Sequence, residues 1–142
     1  MTRTKIAVAA AVLLAAIQLV PVSRTNPPVS SALAAPPAVA AILKRACYDC
    51  HSHETIWPLQ AYLAPLSWLV ARDVNEGREE LNFSAWDRVD RKKVAKKLPE
   101  EIAEGEMPPW LYVVAHPEAR LADADRKLLI DWARGLAEAK TP

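Results

Sequence analysis

The chain of 142 residues contains only two cysteines, and they stand three positions apart and directly before a histidine: Cys47, Cys50 and His51. Side chains at positions i and i+3 of a helical turn lie on the same face, so both thiols can reach one flat ligand. This CxxCH pattern is typical of c-type haem attachment, in which the thiols bond to the haem and the histidine becomes the proximal iron ligand. The sequence therefore predicts one covalent haem c per chain, with His51 on its iron.

Other uses of the same side chains stay open at this point. A CxxC pair in an exported protein can form a structural disulfide. A thiol oxidoreductase site usually belongs to a thioredoxin-like βαβ unit, but the sequence has no strand pattern. Zinc binding by the two thiols, His51 and His53 is a further alternative. Structural zinc sites usually take two ligand pairs from separated segments, however, and the chain has no second pair of cysteines.

The second axial ligand of the iron is predicted to be Met107. Two prolines follow it, and proline restricts the preceding residue to extended backbone and stiffens the loop. A stiff loop suits the presentation of a thioether, and histidine–methionine ligation fills both axial positions, which favours electron transfer. His116 is the reserve candidate, because it precedes a proline in an expected loop. His53 is too close to His51 in sequence to reach the opposite face of the ring.

The N-terminus has the layout of a signal peptide or a signal anchor. Arg3 and Lys5 precede residues 6–22, an apolar run whose only polar member is Gln18. The small-residue site at 32–34 ends twelve residues beyond the run, so an uncleaved anchor is favoured over a cleaved, soluble periplasmic form. The predicted organisation is 1–22 as anchor or signal, 23–37 as a proline-rich linker and 38–142 as the haem-binding domain, on the periplasmic side of the bacterial inner membrane.

Glycine and proline contents favour a helical fold. Three glycines against twelve prolines suit short helices separated by proline better than β-hairpins, which need glycine at positions of positive φ. Apolar spacing and capping signals predict helices over 38–46, 65–80, 85–98 and 123–137, with a short turn at 100–104 and a loop over 106–117. We expect an all-α bundle of four to five short helices around one covalent haem.

The charge distribution excludes nucleic acid as a partner. The net charge is +1, but the first 36 residues hold three basic side chains and no acidic one, so residues 37–142 carry a net charge of −2. Such a domain lacks the positive field on which nucleic-acid binding depends. The basic cluster at 88–97 is predicted to be a solvated helix face, with a docking patch for an acidic redox partner as the alternative.

The order of several short motifs resembles the bacterial haem-binding domain family. The motifs are Cys47-Tyr48-Asp49-Cys50-His51-Ser52, Trp57-Pro58, Met107-Pro108-Pro109-Trp110 and the stretches 64–70, 73–78, 81–84 and 116–119. Members of that family are small, N-terminally anchored and carry one CxxCH. The resemblance implies a cytochrome-c-like helical haem domain that follows an apolar anchor helix.

These expectations together describe an exported mono-haem protein that transfers single electrons and is not an enzyme. Its expected partners are other exported or membrane redox proteins, and the inner membrane through the N-terminal helix. The alternatives are a peroxidase-type haem enzyme and a haem-based gas or redox sensor, each with an open or displaceable distal position. A second CxxCH, the mark of two-haem bacterial peroxidases, is absent from the sequence.

Overall fold

The computed structural model describes residues 2–138. Within that range the regular structure is helical and no strand forms. The α-helices are α1 (Arg3–Ile17), α2 (Pro37–Ala46), α3 (Tyr48–His51), α4 (Leu66–Glu80), α5 (Arg91–Glu104), α6 (Trp110–Ala115) and α7 (Asp123–Gly135). Short 3-10 turns occupy Leu59–Tyr62, Trp86–Arg88 and Pro117–Ala119. The prediction of an all-α fold is confirmed.

Helix α2 carries the chain into the CxxCH run. It begins at Pro37, where the missing amide proton of proline costs no hydrogen bond. Its buried face, Val39, Ile42 and Leu43, packs into the main core. That core also contains Phe83, Trp86, Ile102, Ala119, Leu121 and Leu129. Cys47 follows at the end of a helix whose position is fixed by apolar packing.

Helix α5 begins later than the sequence predicts. A start at residue 85 with capping by Ser84 and Asp87 was expected, and this was wrong. Asp90 is the capping residue, because its carboxylate accepts from two backbone amides of the first turn, at 3.0 and 3.1 Å. The residues before it form the 3-10 turn Trp86–Arg88, in which Trp86 is buried.

Helix α5 also continues through the proline that was expected to divide it. Pro99 lies inside the helix and is buried, as are Val94 and Ile102 on the same side. Burial of the ring against the core compensates for the backbone hydrogen bond that proline cannot donate. The helix ends at Gly105, whose φ of 79° lies in the left-handed region where glycine is favoured. α5 packs along α7, and the two helices form one wall of the domain.

The loop predicted over residues 106–117 contains a short helix, α6, so that prediction was wrong in part. Pro109 precedes the first helical residue, and its fixed φ is already compatible with a helix start. None of the six residues of α6 is buried. The helix therefore sits on the surface of the domain and not within its core.

Helix α1 lies outside the core, with no buried residue along its length. Among residues 2–138, no helix is both long enough and apolar enough to cross a membrane. The segment that follows α1 is extended and hydrogen-bonded to the domain. The side-chain amide of Gln18 pairs with the backbone N–H and carbonyl of Ala64, at 2.9 and 3.2 Å, and Asn26 donates to the Thr55 carbonyl at 2.9 Å.

Candidate haem site

A single cavity of about 470 Å³ brings together side chains from four separate parts of the chain. Its lining includes the predicted attachment residues and the predicted distal ligand: Cys47, Cys50, His51 and Met107. The remaining lining comes from α4 and the residues just after it, from α5 and from the segment around α6. Its uncharged members include Gly77, Leu81, Phe83, Val94, Leu98, Pro108, Pro109 and Tyr112, and its charged members are Asp73, Glu76, Glu80, Lys93, Lys97 and Glu101. His116 is not among the lining residues.

The turn at residues 47–51, the predicted attachment turn, is helical, as the spacing of the cysteines requires. Cys47 ends α2, where its amide donates to the Leu43 carbonyl at 2.8 Å, and its own carbonyl accepts from the amides of Cys50 and His51 at 3.2 and 2.9 Å. The two thiols are free of any disulfide. Because the turn follows a buried helix without a break, the thiols are held on the side that faces the cavity.

Burial controls the chemistry of both thiols. Desolvation, with a smaller contribution from the neighbouring Cys50, raises the pKa of Cys47 to about 12. Desolvation and the charge of Asp49 raise the pKa of Cys50 to about 11. A thiol oxidoreductase needs the opposite shift, since its attacking species is the thiolate. The site therefore does not support the oxidoreductase alternative.

His51 is oriented by two backbone carbonyls. Its Nδ1 lies 2.8 Å from the Gly77 carbonyl oxygen and 3.0 Å from that of Leu81. Both oxygens are acceptors only, so Nδ1 carries the proton and Nε2 keeps its lone pair for a metal. Burial lowers the pKa of His51, although the two hydrogen bonds oppose that shift. The result is a neutral imidazole, the form that binds iron.

Gly77 allows α4 to approach the attachment turn. A Cβ at this position would lie 2.6 Å from the carbonyl oxygen of Cys50 and 3.1 Å from its Cβ. Glycine is therefore needed for α4 to pack closely enough to offer its carbonyl to His51. Sequence reasoning missed this role, although a glycine within a helical pattern was a signal of close backbone approach.

The Met107 loop is held from two sides. On one side, the amide of Met107 donates to the carbonyl of Glu101 in the last turn of α5, at 3.2 Å. On the other side, Tyr112 of α6 donates from its hydroxyl to Oδ2 of Asp49, at 2.7 Å. Burial and this hydrogen bond raise the pKa of Tyr112, so the hydroxyl stays protonated and acts as the donor. Asp49 and Tyr112 were not identified from the sequence.

The other two histidines make contacts elsewhere. His53 has one ring nitrogen 3.0 Å from the Pro28 carbonyl and the other 2.9 Å from the side-chain amide of Asn82. With both nitrogens engaged there, His53 is not directed at the thiols, and the zinc alternative loses a ligand. The ring of His116 stacks on Tyr112 with a centroid distance of 4.3 Å.

The donor set and the cavity fit a haem. Two thiols on one turn and a neutral imidazole beside them match the attachment chemistry, and the thioether of Met107 lines the same space from another segment. The cavity volume lies within the range of about 300–1,000 Å³ that is usual for ligand sites. Apolar side chains supply most of the lining, as a porphyrin face requires.

A family model described as a haem-binding domain matches residues 12–135 of the chain. The match includes the attachment turn, the Met107 loop and all of α7. No curated protein and no solved structure gave a significant match.

Proposed function

Because the chain belongs to the haem-binding domain family, we propose that it carries one covalent haem c and transfers single electrons outside the cytoplasm. The observation that carries the proposal is the meeting of two thiols, an oriented imidazole and a thioether at one apolar cavity. These groups come from the turn at 47–51 and from a loop more than fifty residues later.

Each side chain has a defined part in holding the group. Cys47 and Cys50 would form the thioether links, and Nε2 of His51 would bind the iron as the proximal ligand. Met107 is the proposed distal ligand, with His116 in reserve. When bound, the haem supplies an iron that alternates between the ferric and ferrous states and so accepts or donates one electron.

The protein residues support electron transfer over substrate chemistry. The carbonyls of Gly77 and Leu81 fix the imidazole in one orientation. The two prolines after Met107 limit the movement of its loop. A peroxidase-type enzyme or a gas sensor would need an open or easily vacated distal position. Met107, the two prolines after it and Tyr112 line the same cavity as His51, and we propose that Met107 occupies the distal position.

The proposed location is the periplasmic side of the bacterial inner membrane. The support for this location is the sequence, in which Arg3 and Lys5 precede the apolar run at 6–22, the layout of an export signal whose positive end stays in the cytoplasm. The partners we propose are other exported or membrane redox proteins. Lys93 belongs to the basic cluster at 88–97. It lines the cavity and forms an ion pair of 2.9 Å with Glu80.

The distal ligand is tested by comparing Met107→Ala with His116→Ala in protein matured with haem. We expect Met107→Ala to keep the covalent haem but to lose the near-infrared methionine–iron band of the oxidised form and to lower the reduction potential. His116→Ala should retain both properties. An unchanged spectrum in Met107→Ala would show that another group binds the iron, and loss of the band in His116→Ala alone would assign it to that histidine.

A further inference from the structure

A hydrogen bond joins the attachment turn to the segment that carries the proposed distal ligand. The hydroxyl of Tyr112 donates to Oδ2 of Asp49 at 2.7 Å, across 63 positions of sequence. Asp49 lies between the two cysteines, in the part of the chain that is fixed to α2. Tyr112 lies on α6, which follows directly after Met107-Pro108-Pro109. The bond therefore connects the two sides of the cavity.

Contacts other than the bond to Tyr112 also hold Asp49 in position. Its Oδ1 accepts from the amide of Ile56 at 2.9 Å, and its backbone carbonyl accepts from the hydroxyl of Thr55 at 2.7 Å. These contacts fix the orientation of the side chain and leave Oδ2 for α6. An oriented, charged acceptor forms a stronger hydrogen bond than a mobile one.

Helix α6 has few other attachments. Trp110, Leu111 and Val114 are 74%, 51% and 70% exposed. Among residues 2–138, Tyr112 is the only α6 side chain that hydrogen-bonds to a different segment of the chain. A helix of six residues with no buried side chain gains little stability of its own. Tyr112 is therefore its main anchor: the ring packs against the main core, and the hydroxyl bonds to Asp49.

We propose that Asp49 and Tyr112 are positioning residues that close α6 and the Met107 loop over the attachment turn. The stiff diproline segment transmits the position of α6 to Met107, so that the bond keeps the thioether at the distal face. This inference rests on the proposed function, because it assumes that Met107 is the distal ligand. The stability of that ligation would then depend on two residues, Asp49 and Tyr112, that do not themselves bind iron.

The test uses the full chain matured with haem and measures imidazole binding to the oxidised protein, together with the methionine–iron band. Tyr112→Phe removes only the hydroxyl, so we expect imidazole to displace the distal ligand at about tenfold lower concentration, the effect of losing one charge-assisted hydrogen bond. Tyr62→Phe is the matched control, since Tyr62 is an exposed tyrosine on a different surface turn, and its imidazole affinity should equal that of the parent protein.

A second variant makes the test independent of how well Tyr112→Phe folds. Asp49→Asn keeps the shape of the acceptor but removes its charge, so we expect a smaller gain in imidazole affinity than in Tyr112→Phe. Combining the two changes should add nothing beyond Tyr112→Phe, since the pair acts through one bond. Covalent haem content, measured by the mass of the unfolded protein, should be unchanged in all variants.

The outcomes separate the two proposals. A methionine–iron band in the parent protein, with imidazole affinity in both variants equal to that of the Tyr62→Phe control, overturns the positioning role and leaves the proposed function intact. Absence of the band from the parent protein, with a spectrum unchanged by Met107→Ala, overturns the proposed ligation and this inference together. Tighter imidazole binding in Tyr112→Phe, with a weaker effect in Asp49→Asn, supports the positioning role.

Discussion

His51 shows at the scale of a single residue how backbone groups orient the side chain that we propose as the iron ligand. The CxxCH pattern identified this histidine, but it did not show what holds the ring. Two carbonyls near the C-terminus of α4 accept its Nδ1 proton, and one of them belongs to Gly77, which also makes room for the turn. These partners lie 26 and 30 positions away, and no local pattern around His51 indicates them.

The close approach of α4 to Cys50 at Gly77 can be tested by substitution. Gly77→Ala places a methyl group 2.6 Å from the Cys50 carbonyl oxygen, so α4 and the turn must separate. We expect the free energy of unfolding to fall by about 1–3 kcal/mol, as for other overpacked contacts, and the yield of haem-loaded protein to fall with it. Chemical denaturation and haem staining measure both. The control is Gly135→Ala, whose added methyl meets no atom within 4 Å; equal losses in the two variants would contradict this account.

At the scale of helices, α2 and α7 are joined by a polar contact that fixes the helix leading into the attachment turn. Asp125 accepts from the guanidinium of Arg45 at 2.6 Å and from the amide of Ala122 at 3.0 Å. The amide of Ala122 lowers the pKa of Asp125, and Arg45 adds to that effect. A lowered pKa in the folded state means that this contribution to stability is present above the unfolded pKa of about 3.9 and is lost as the pH falls further.

Asp125→Asn tests this contact. We expect the variant to lose about 1 kcal/mol of unfolding free energy at pH 7, the usual size of a capping interaction at a helix start. The difference from the parent protein should shrink as the pH falls below the unfolded pKa and through the lowered pKa of the folded state, where the carboxylate becomes protonated. Asp131→Asn is the control, because Asp131 pairs only with Lys127 on the exposed side of α7, at 2.5 Å, and should change stability by less than about 0.5 kcal/mol. A loss in Asp125→Asn that is independent of pH would disprove the electrostatic explanation.

The elements also show where sequence patterns were sufficient. Helices α2, α4 and α7 form close to where apolar spacing predicts them, and α2 and α7 bury apolar residues of that spacing. The buried face of α4 differs from the one that the apolar spacing predicts: it consists of Ser67, Ala71 and Val74, whereas Leu66 and Leu69 are exposed. α5 and α6 did not follow expectation. Pro99 is accepted within α5 because its ring is buried, and α6 forms without a buried stripe, supported by the contact between Tyr112 and Asp49. Both outcomes depend on tertiary neighbours that a window of sequence does not contain.

At the scale of the whole molecule, the fold brings the CxxCH turn and the Met107 loop together at one cavity. The sequence identified Cys47, Cys50, His51 and Met107 from short motifs, because covalent attachment and a stiff loop each need a local pattern. It did not identify Asp49, Gly77 or Tyr112. Their roles arise only when distant segments pack together, and the residue types alone are common in any helical domain.

The proposed function depends on two thioether bonds that hold one haem on the turn at Cys47 and Cys50. This attachment is tested by the mass of the protein after it is matured in a host that attaches haem c and is then unfolded. We expect the mass of the chain plus one haem, and no added mass when both cysteines are replaced by alanine. Unfolded parent protein with the mass of the bare chain and two free thiols would contradict it.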